Sequence, residues 1–255
     1  MVRGLYSAAA GVFAQQKALN VIANNIANAS TAGYKSQATV ESSFGEHLIN
    51  RMSKLESSAK NNLGSWSYIT INSSEYTDFT QGNLENTGRP VDMAISGDGF
   101  FLVESETYGT VLTRNGQFEI DADGELCLPG VGKVLNDGES TISLENASFT
   151  VSPTGTIIVD GDEADTLYIV KPSEDTVLRS VGNGVFQVEE GGSYDQAEEG
   201  TYRVLQGMLE KSNINMAQEM TRIIAGQSRF NSCTQIIKIY DKINELTVSQ
   251  IARIG

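Results

Sequence analysis

Near the end of the chain, apolar residues return every seven positions: Met216, Ile223, Phe230 and Ile237, with Met220, Ile224, Ile236, Tyr240 and Ile243 widening the stripe. That period selects an α-helix, because about 3.6 residues per turn bring positions three, four and seven apart onto one face. The pattern predicts helix from about 213 to about 250, which at about 1.5 Å per residue is roughly 55 Å long. A small domain cannot cover a stripe of that length, so part of it must pack on another helix or another chain.

The start of the chain carries a matching element. Positions 5, 9, 12, 16, 19, 23 and 26 read Leu, Ala, Val, Gln, Leu, Ala and Ile, and Val2, Phe13 and Ile22 widen the seam. The far face holds Gln15, Lys17, Asn20, Asn24 and Asn28. A helix that lies on a membrane would instead carry dense Lys and Arg there, so the partner expected is protein. The stretch "VIANNIANASTAGYKS" at 21–36 then breaks the apolar pattern with asparagines. Their short amides compete for local backbone groups and lower helix stability, so contacts outside the helix must compensate. The pattern stops after Ser30, and Gly33 is the expected left-handed residue ending the helical region.

Between the ends the signal changes to sheet. Short β-type runs occur at "VDMAI", "GFFLVE", "TVLTR", "QFEI", "TISL", "TIIVD" and "TLYIV". Asn115-Gly116, Asp123-Gly124, Asp137-Gly138 and Asp160-Gly161 read as hairpin turns, since Gly and Asx residues tolerate positive φ. Residues 36–66 have mixed polarity and no clean period, and are expected to form a connector with a short helix near 42–56. The fold class is therefore α+β, with long N- and C-terminal α-helices forming a coiled-coil-like pair around a central antiparallel all-β domain. The expected division is 1–35 helical, 36–74 connector, 75–205 β domain and 206–255 helical.

Charge restricts the partners. The net charge of −14 is divided as +3 on residues 1–40 and +2 on 206–255, which leaves −19 on the middle. Binding to nucleic acid is excluded, because it needs clustered Lys and Arg to replace counterions around phosphate. The acidic middle is the solvated part. Cys127 and Cys233 lie far apart and form neither a disulfide framework nor a CxxC site. No run of about 18 apolar residues is present, so direct membrane insertion is not expected. The opening "MVRGLYSAAAGVFAQQ" is not read as a cleavable signal, because its apolar pattern continues unbroken to Ile26.

Catalytic chemistry finds no support. His47 is the only histidine and has no nucleophile or acid at supporting spacing. "DADGEL" at 121–126 lacks the third ligand position and the distal Glu of a calcium loop. "SGDGFF" at 96–101 lacks the third glycine and following helix of a phosphate loop. Glu189-Glu190 and Glu198-Glu199 sit among glycines and read as solvated loops rather than as the cleft-held carboxylate pair that acid/base chemistry needs. No catalytic, cofactor-binding or metal residue is assigned, no cofactor is expected, and the chain is not read as an enzyme.

In this setting "ANNIANASTAGYKS" at 23–36 resembles the amino-terminal signature of the bacterial flagellar rod and hook family of axial proteins. "FTQGNLENTGRPVDMAISGDGFFLV" at 79–103, "LTRNGQFEIDADGEL" at 112–126 and "GMLEKSNINMAQEMTRIIAGQSRF" at 207–230 agree in order. The likeness is to the proximal and distal rod proteins of the FlgF/FlgG class, and "SRFNSCTQIIKIYDKINE" favours the proximal one. The resemblance implies a subunit exported by the flagellar type III apparatus to the basal body without a cleavable signal peptide. It further implies self-association in a helical tube beside neighbouring rod and hook proteins. The terminal helices would form the inner wall and the β domains the outer shell of a stiff shaft carrying torque from motor to hook. The assembly interface would comprise Leu5, Val12, Leu19, Ile22, Asn24, Asn25, Ile26 and Asn28 at the start of the chain. At the end it would comprise Met216, Met220, Ile223, Phe230, Ile237 and Tyr240. A surface fibre or adhesin-like subunit, with helical stalk and β head, is the alternative, and it should show a signal or wall anchor.

Overall fold

Helix α1 spans Val2–Ala27 and helix α2 spans Met216–Ala252, as the two stripes require. The computed structural model describes residues 2–44, 47–51, 61–66, 69–144, 149–173, 176–182, 184–189, 191–198 and 200–252, with only the backbone course between 41 and 73. Chain contacts divide it into two units, one of 1–26, 37–78 and 215–255, the other of 27–36 and 79–214.

In the first unit α2 begins at a side-chain cap. Asn215 Oδ1 accepts the Gln218 amide at 3.2 Å, while the Asn215 carbonyl takes the Glu219 amide at 3.0 Å. This satisfies donors that the first turn would leave open. The two helices meet at three glycines. Gly4 lies against the Tyr240 ring and hydroxyl, Gly11 against Cys233, and Gly226 against Leu19. Positions rise along α1 as they fall along α2, so the helices run antiparallel. A Cβ on Gly11 would stand 3.1 Å from Cys233 Sγ, and one on Gly226 2.9 Å from Leu19 Cδ2.

Residues 37–77 differ from expectation. Instead of a short helix near 42–56, strand Gln37–Phe44 pairs antiparallel with Ile69–Thr77, and His47–Arg51 with Asn61–Trp66. Thr39, Val40, Ser42 and Ser43 explain the difference, since β-branched and hydroxyl side chains are weak helix formers and Thr and Val suit a strand. Residues 45, 46 and 52–56 of that expected helix lie outside the described residues. The hairpin is joined to α1 by a Lys17–Glu75 ion pair of 3.2 Å.

The second unit is the antiparallel β centre. Strand Phe100–Ser105 pairs with Gly109–Thr113 in the register Leu102↔Leu112 and Val103↔Val111. Its other neighbours are Gly132–Val134 and Ile169–Pro172. Phe101 and Val103 enter one core cluster, with Met93, Ile95 and Phe118, while Phe100 and Leu102 enter a second, with Leu112, Val170 and Phe186. Alternating side chains thus bury both faces of this strand, which is why "GFFLVE" is a continuous apolar run. Asp123-Gly124 joins the paired strands Glu119–Ile120 and Leu126–Leu128. Asp160-Gly161, with φ of 53° and 98°, joins Thr156–Val159 to Asp162–Thr166, the positive-φ pair that a tight hairpin demands. Asp137-Gly138 turns the chain between bridged Leu135 and Thr141. Asn115-Gly116 makes no hairpin. Its Gly116 instead presses on the Met93 carbonyl, and the Met93 amide donates to the Gly116 carbonyl at 3.0 Å.

Candidate functional site

Apart from buried Ala8, Ala14 and Val21, apolar residues on the helices fall into two sets. Leu5, Val12, Leu19, Ile22 and Ile26 on α1, and Ile223, Phe230, Ile237 and Tyr240 on α2, are half-buried. With Gly226 and Cys233, the α2 members are spaced three and four apart, as one helix face requires. The second set is uncovered. Met216, Met220 and Ile224 form one exposed row, and Ile236, Ile239, Ile243 and Leu246 another. On α1, Tyr6 and Phe13 are seven apart and exposed, Phe13 at 76%. Exposed large apolar side chains in such rows mark interaction surfaces.

The asparagines separate in role. Asn25 is 1% exposed; its Oδ1 accepts the Gln37 amide at 3.0 Å and its Nδ2 donates to the Gln37 carbonyl at 2.8 Å. One amide thereby completes both backbone groups of a residue twelve positions away, which compensates its poor helix propensity. Asn28 Oδ1 accepts the Thr31 hydroxyl at 3.3 Å and its carbonyl the Thr31 amide at 3.1 Å, shaping the turn after α1. Asn24 has an exposed side chain. Gly33 is left-handed at φ 66°, as expected, and its Cα faces the Arg114 and Asn115 backbone so closely that no side chain fits.

The sequence reading missed a buried charged cluster in the second unit. Glu210 Oε1 accepts Lys35 Nζ at 2.6 Å and the Gly82 amide at 2.8 Å, while Oε2 accepts Arg114 Nη1 at 3.3 Å. Lys35 Nζ also donates to the Thr80 carbonyl at 2.8 Å, and Arg114 Nη2 to the Gly97 carbonyl at 2.7 Å. Asn213 continues the tie. Its Oδ1 accepts the Ser36 amide, and its Nδ2 donates to Thr80. The segment that follows α1 and the one that precedes α2 are therefore fastened to the same part of the β unit. Burial lowers the Arg114 pKa below its ordinary value, and Glu210 opposes that shift. The sequence held one faint signal, that Lys35 is the only charged residue from 18 to 40. Among the described residues, no group of three potential metal ligands occurs, and no helix is long and apolar enough to cross a membrane. His47 lies on strand His47–Arg51.

One unit thus carries terminal helices with uncovered apolar rows, and the other is an antiparallel β centre with a buried charged cluster. Three family descriptions match in order: "Flagella basal body rod protein" over 5–35, "Flagellar hook protein FlgE/F/G D1 domain" over 94–159, and "Flagellar basal body rod FlgEFG protein C-terminal" over 205–250. The flagellar basal-body rod protein FlgG of Bacillus subtilis is 32% identical over 261 residues, covering 95% of this chain and 97% of the relative. FlgG of Borreliella burgdorferi is 30% identical, with 95% and 96% covered. FlgF of Caulobacter vibrioides is 27% identical, with 100% and 99% covered. The chain belongs to the flagellar basal-body rod proteins of the FlgF/FlgG class, and is a structural subunit of the rod in the basal body.

Proposed function

We propose that the subunit polymerises into a helical tube with α1 and α2 paired as a coiled coil in the inner wall and the β unit outside. The observation that carries this reading is the uncovered apolar surface of α2, where every residue from 241 to 250 is exposed, Leu246 and Val248 among them. Surface of this kind is stabilised only when a neighbouring chain removes it from water. The interface consists of Leu5, Val12, Leu19, Ile22, Ile26, Asn24 and Asn28 with Met216, Met220, Ile223, Phe230, Ile237 and Tyr240, while Asn25 acts inside the subunit by holding Gln37. The chain reaches the tube through the flagellar type III export apparatus, joins neighbouring rod and hook proteins, and passes torque from motor to hook. The last-helix stretch "SRFNSCTQIIKIYDKINE" supports a proximal position. Electron microscopy of the concentrated protein tests the reading: tubes or rods are expected, and amorphous or monomeric protein at all concentrations would refute it. Immunolabelling of isolated basal bodies tests the position, and label confined to the hook-proximal end would overturn it.

A further inference from the structure

The solvent side of a helix ordinarily carries charged residues. The middle of α2 departs from that rule. Of the fifteen residues from 223 to 237 only Arg229 is charged, although Ile224, Gln227, Asn231 and Gln235 are exposed. The eight that follow, 238–245, hold Lys238, Asp241, Lys242 and Glu245. A shallow groove of about 490 Å³ runs along the uncharged stretch, from Ile223 to Gln235. Helix α1 departs in the same way. From 4 to 28 its one charged residue is Lys17, which Glu75 engages at 3.2 Å, and yet Phe13, Gln16, Asn20 and Asn24 are exposed.

The two uncharged faces share one layout. Phe13, Gln16, Asn20 and Asn24 are separated by three, four and four residues, and so are Ile224, Gln227, Asn231 and Gln235. Each row is a large apolar side chain followed by three amides on one helix face. Phe13 is 76% exposed and Ile224 71%. Neither row lies in the seam within the chain, which runs through Gly4, Gly11 and Leu19 on α1 and Tyr240, Cys233 and Gly226 on α2. An amide side chain bears both donors and an acceptor, so the surface most complementary to a row of amides is another such row. Gln16 Nε2 donates to Asn20 Oδ1 at 3.1 Å, which engages one group of each and leaves the opposite group for a partner. Both rows repeat along their helices at about 6 Å, so successive amides meet without adjustment.

We infer that the groove of α2 receives α1 of a second copy of this chain, running antiparallel, with Gln16 against Asn231 and Asn20 against Gln227. Phe13 lies beyond one end of the paired amides and Ile224 beyond the other. The antiparallel sense follows from copies that all point the same way along a tube, since α1 and α2 are antiparallel within each. The contact deepens the rod-subunit reading and rests on it for that sense.

Two differently tagged full-length chains test it, both in a Cys127→Ser, Cys233→Ser background, one with Asn20→Cys and the other with Gln227→Cys. They are mixed at high concentration, oxidised and analysed by peptide mapping, while electron microscopy of the parent chain records tubes. A disulfide from position 20 of one copy to position 227 of the other is expected, because such a bond needs Cα atoms within about 7 Å. Asn20→Cys mixed with Asp241→Cys is the register control. Position 241 lies roughly 21 Å further along α2 at about 1.5 Å per residue, and a yield about tenfold lower is expected there. Adding Gln16→Asp to the first chain and Asn231→Asp to the second should lower the 20–227 yield about tenfold, because facing like charges repel. Tubes without the 20–227 bond overturn this contact and leave the rod reading standing. The bond without tubes supports the contact and overturns the rod reading, and the absence of both overturns both. Equal bonding at 227 and 241, or a yield indifferent to the two Asp substitutions, overturns the pairing of amides.

Discussion

Lys35 Nζ stands 2.6 Å from Glu210 Oε1 although the two residues are 175 positions apart, and neither side chain is more than 1% exposed. Arg114 takes the other carboxylate oxygen at 3.3 Å. Two buried cations thus share one carboxylate. Removing the shared partner of a buried ion pair commonly costs about 3–5 kcal/mol, because it leaves charge without compensation.

The first expected outcome follows from that asymmetry. Glu210→Gln removes the carboxylate that both cations share, whereas Lys35→Met leaves the Arg114–Glu210 pair in place. Glu210→Gln should lower the melting temperature of the β unit by about 10 °C, taking roughly 2–4 °C per kcal/mol for a chain of this size. Lys35→Met should cost less than half of that. Equal losses in thermal melts of the two variants would show that Glu210 is not the shared anion.

A second outcome tests the antiparallel helix pair. A Cβ at position 11 would lie 3.1 Å from Cys233 Sγ, close to the roughly 3 Å that separates a Cβ from the far sulfur across a disulfide. Gly11→Cys in a Cys127→Ser background should therefore oxidise to an intrachain bond with Cys233. It would be seen as a faster-migrating band in non-reducing electrophoresis and confirmed by peptide mapping. Dimers linked between chains, with no intrachain product, would refute the pairing.

What was legible in the sequence was local. The helices could be read because Ile223, Phe230 and Ile237 repeat every two turns of one element, and the Asp160-Gly161 hairpin because two adjacent residues supply its whole geometry. The hairpin of Gln37–Phe44 with Ile69–Thr77 was not legible, because its strands mix Ser, Thr, Glu and Asn without alternation. Asn25 signalled only that it needed a partner; that the partner is the Gln37 backbone follows from how the chain turns at Gly33. The Lys35, Arg114 and Glu210 cluster left almost no trace, since its members are brought together by sheet topology rather than by spacing.

Unequal burial gives a third outcome. Phe101, Leu102, Leu112 and Phe118 have no exposure, whereas the α2 seam is only half-buried and its last turns are uncovered. Long helices without tertiary cover are marginal in water. In dilute monomer, amides of residues 2–26 and 216–252 should exchange within seconds to minutes while those of strand Phe100–Ser105 stay protected. Hydrogen exchange with mass spectrometry decides this, and equal protection of both ends in a verified monomer counts against assembly-dependent helices.

The last outcome concerns the seam itself. Leu19 packs against Gly226, and Ile223 and Phe230 flank that glycine at one helical turn on either side. Truncating a fully buried Phe costs about 3–5 kcal/mol, so at half-buried Phe230 a cost of about 2 kcal/mol per subunit is reasonable. Every subunit of a tube repeats that loss. Ile26→Asp is harsher, because it places a charge at a half-buried position where desolvation opposes it. Neither residue belongs to the β-unit clusters built around Phe101 and Phe100. Both variants should therefore keep the β-unit melting transition of the parent chain and yet be lost from isolated basal bodies, with motility lost as well. Normal incorporation of both would refute the shared seam. A collapsed melting transition would instead place these side chains in the support of the β unit.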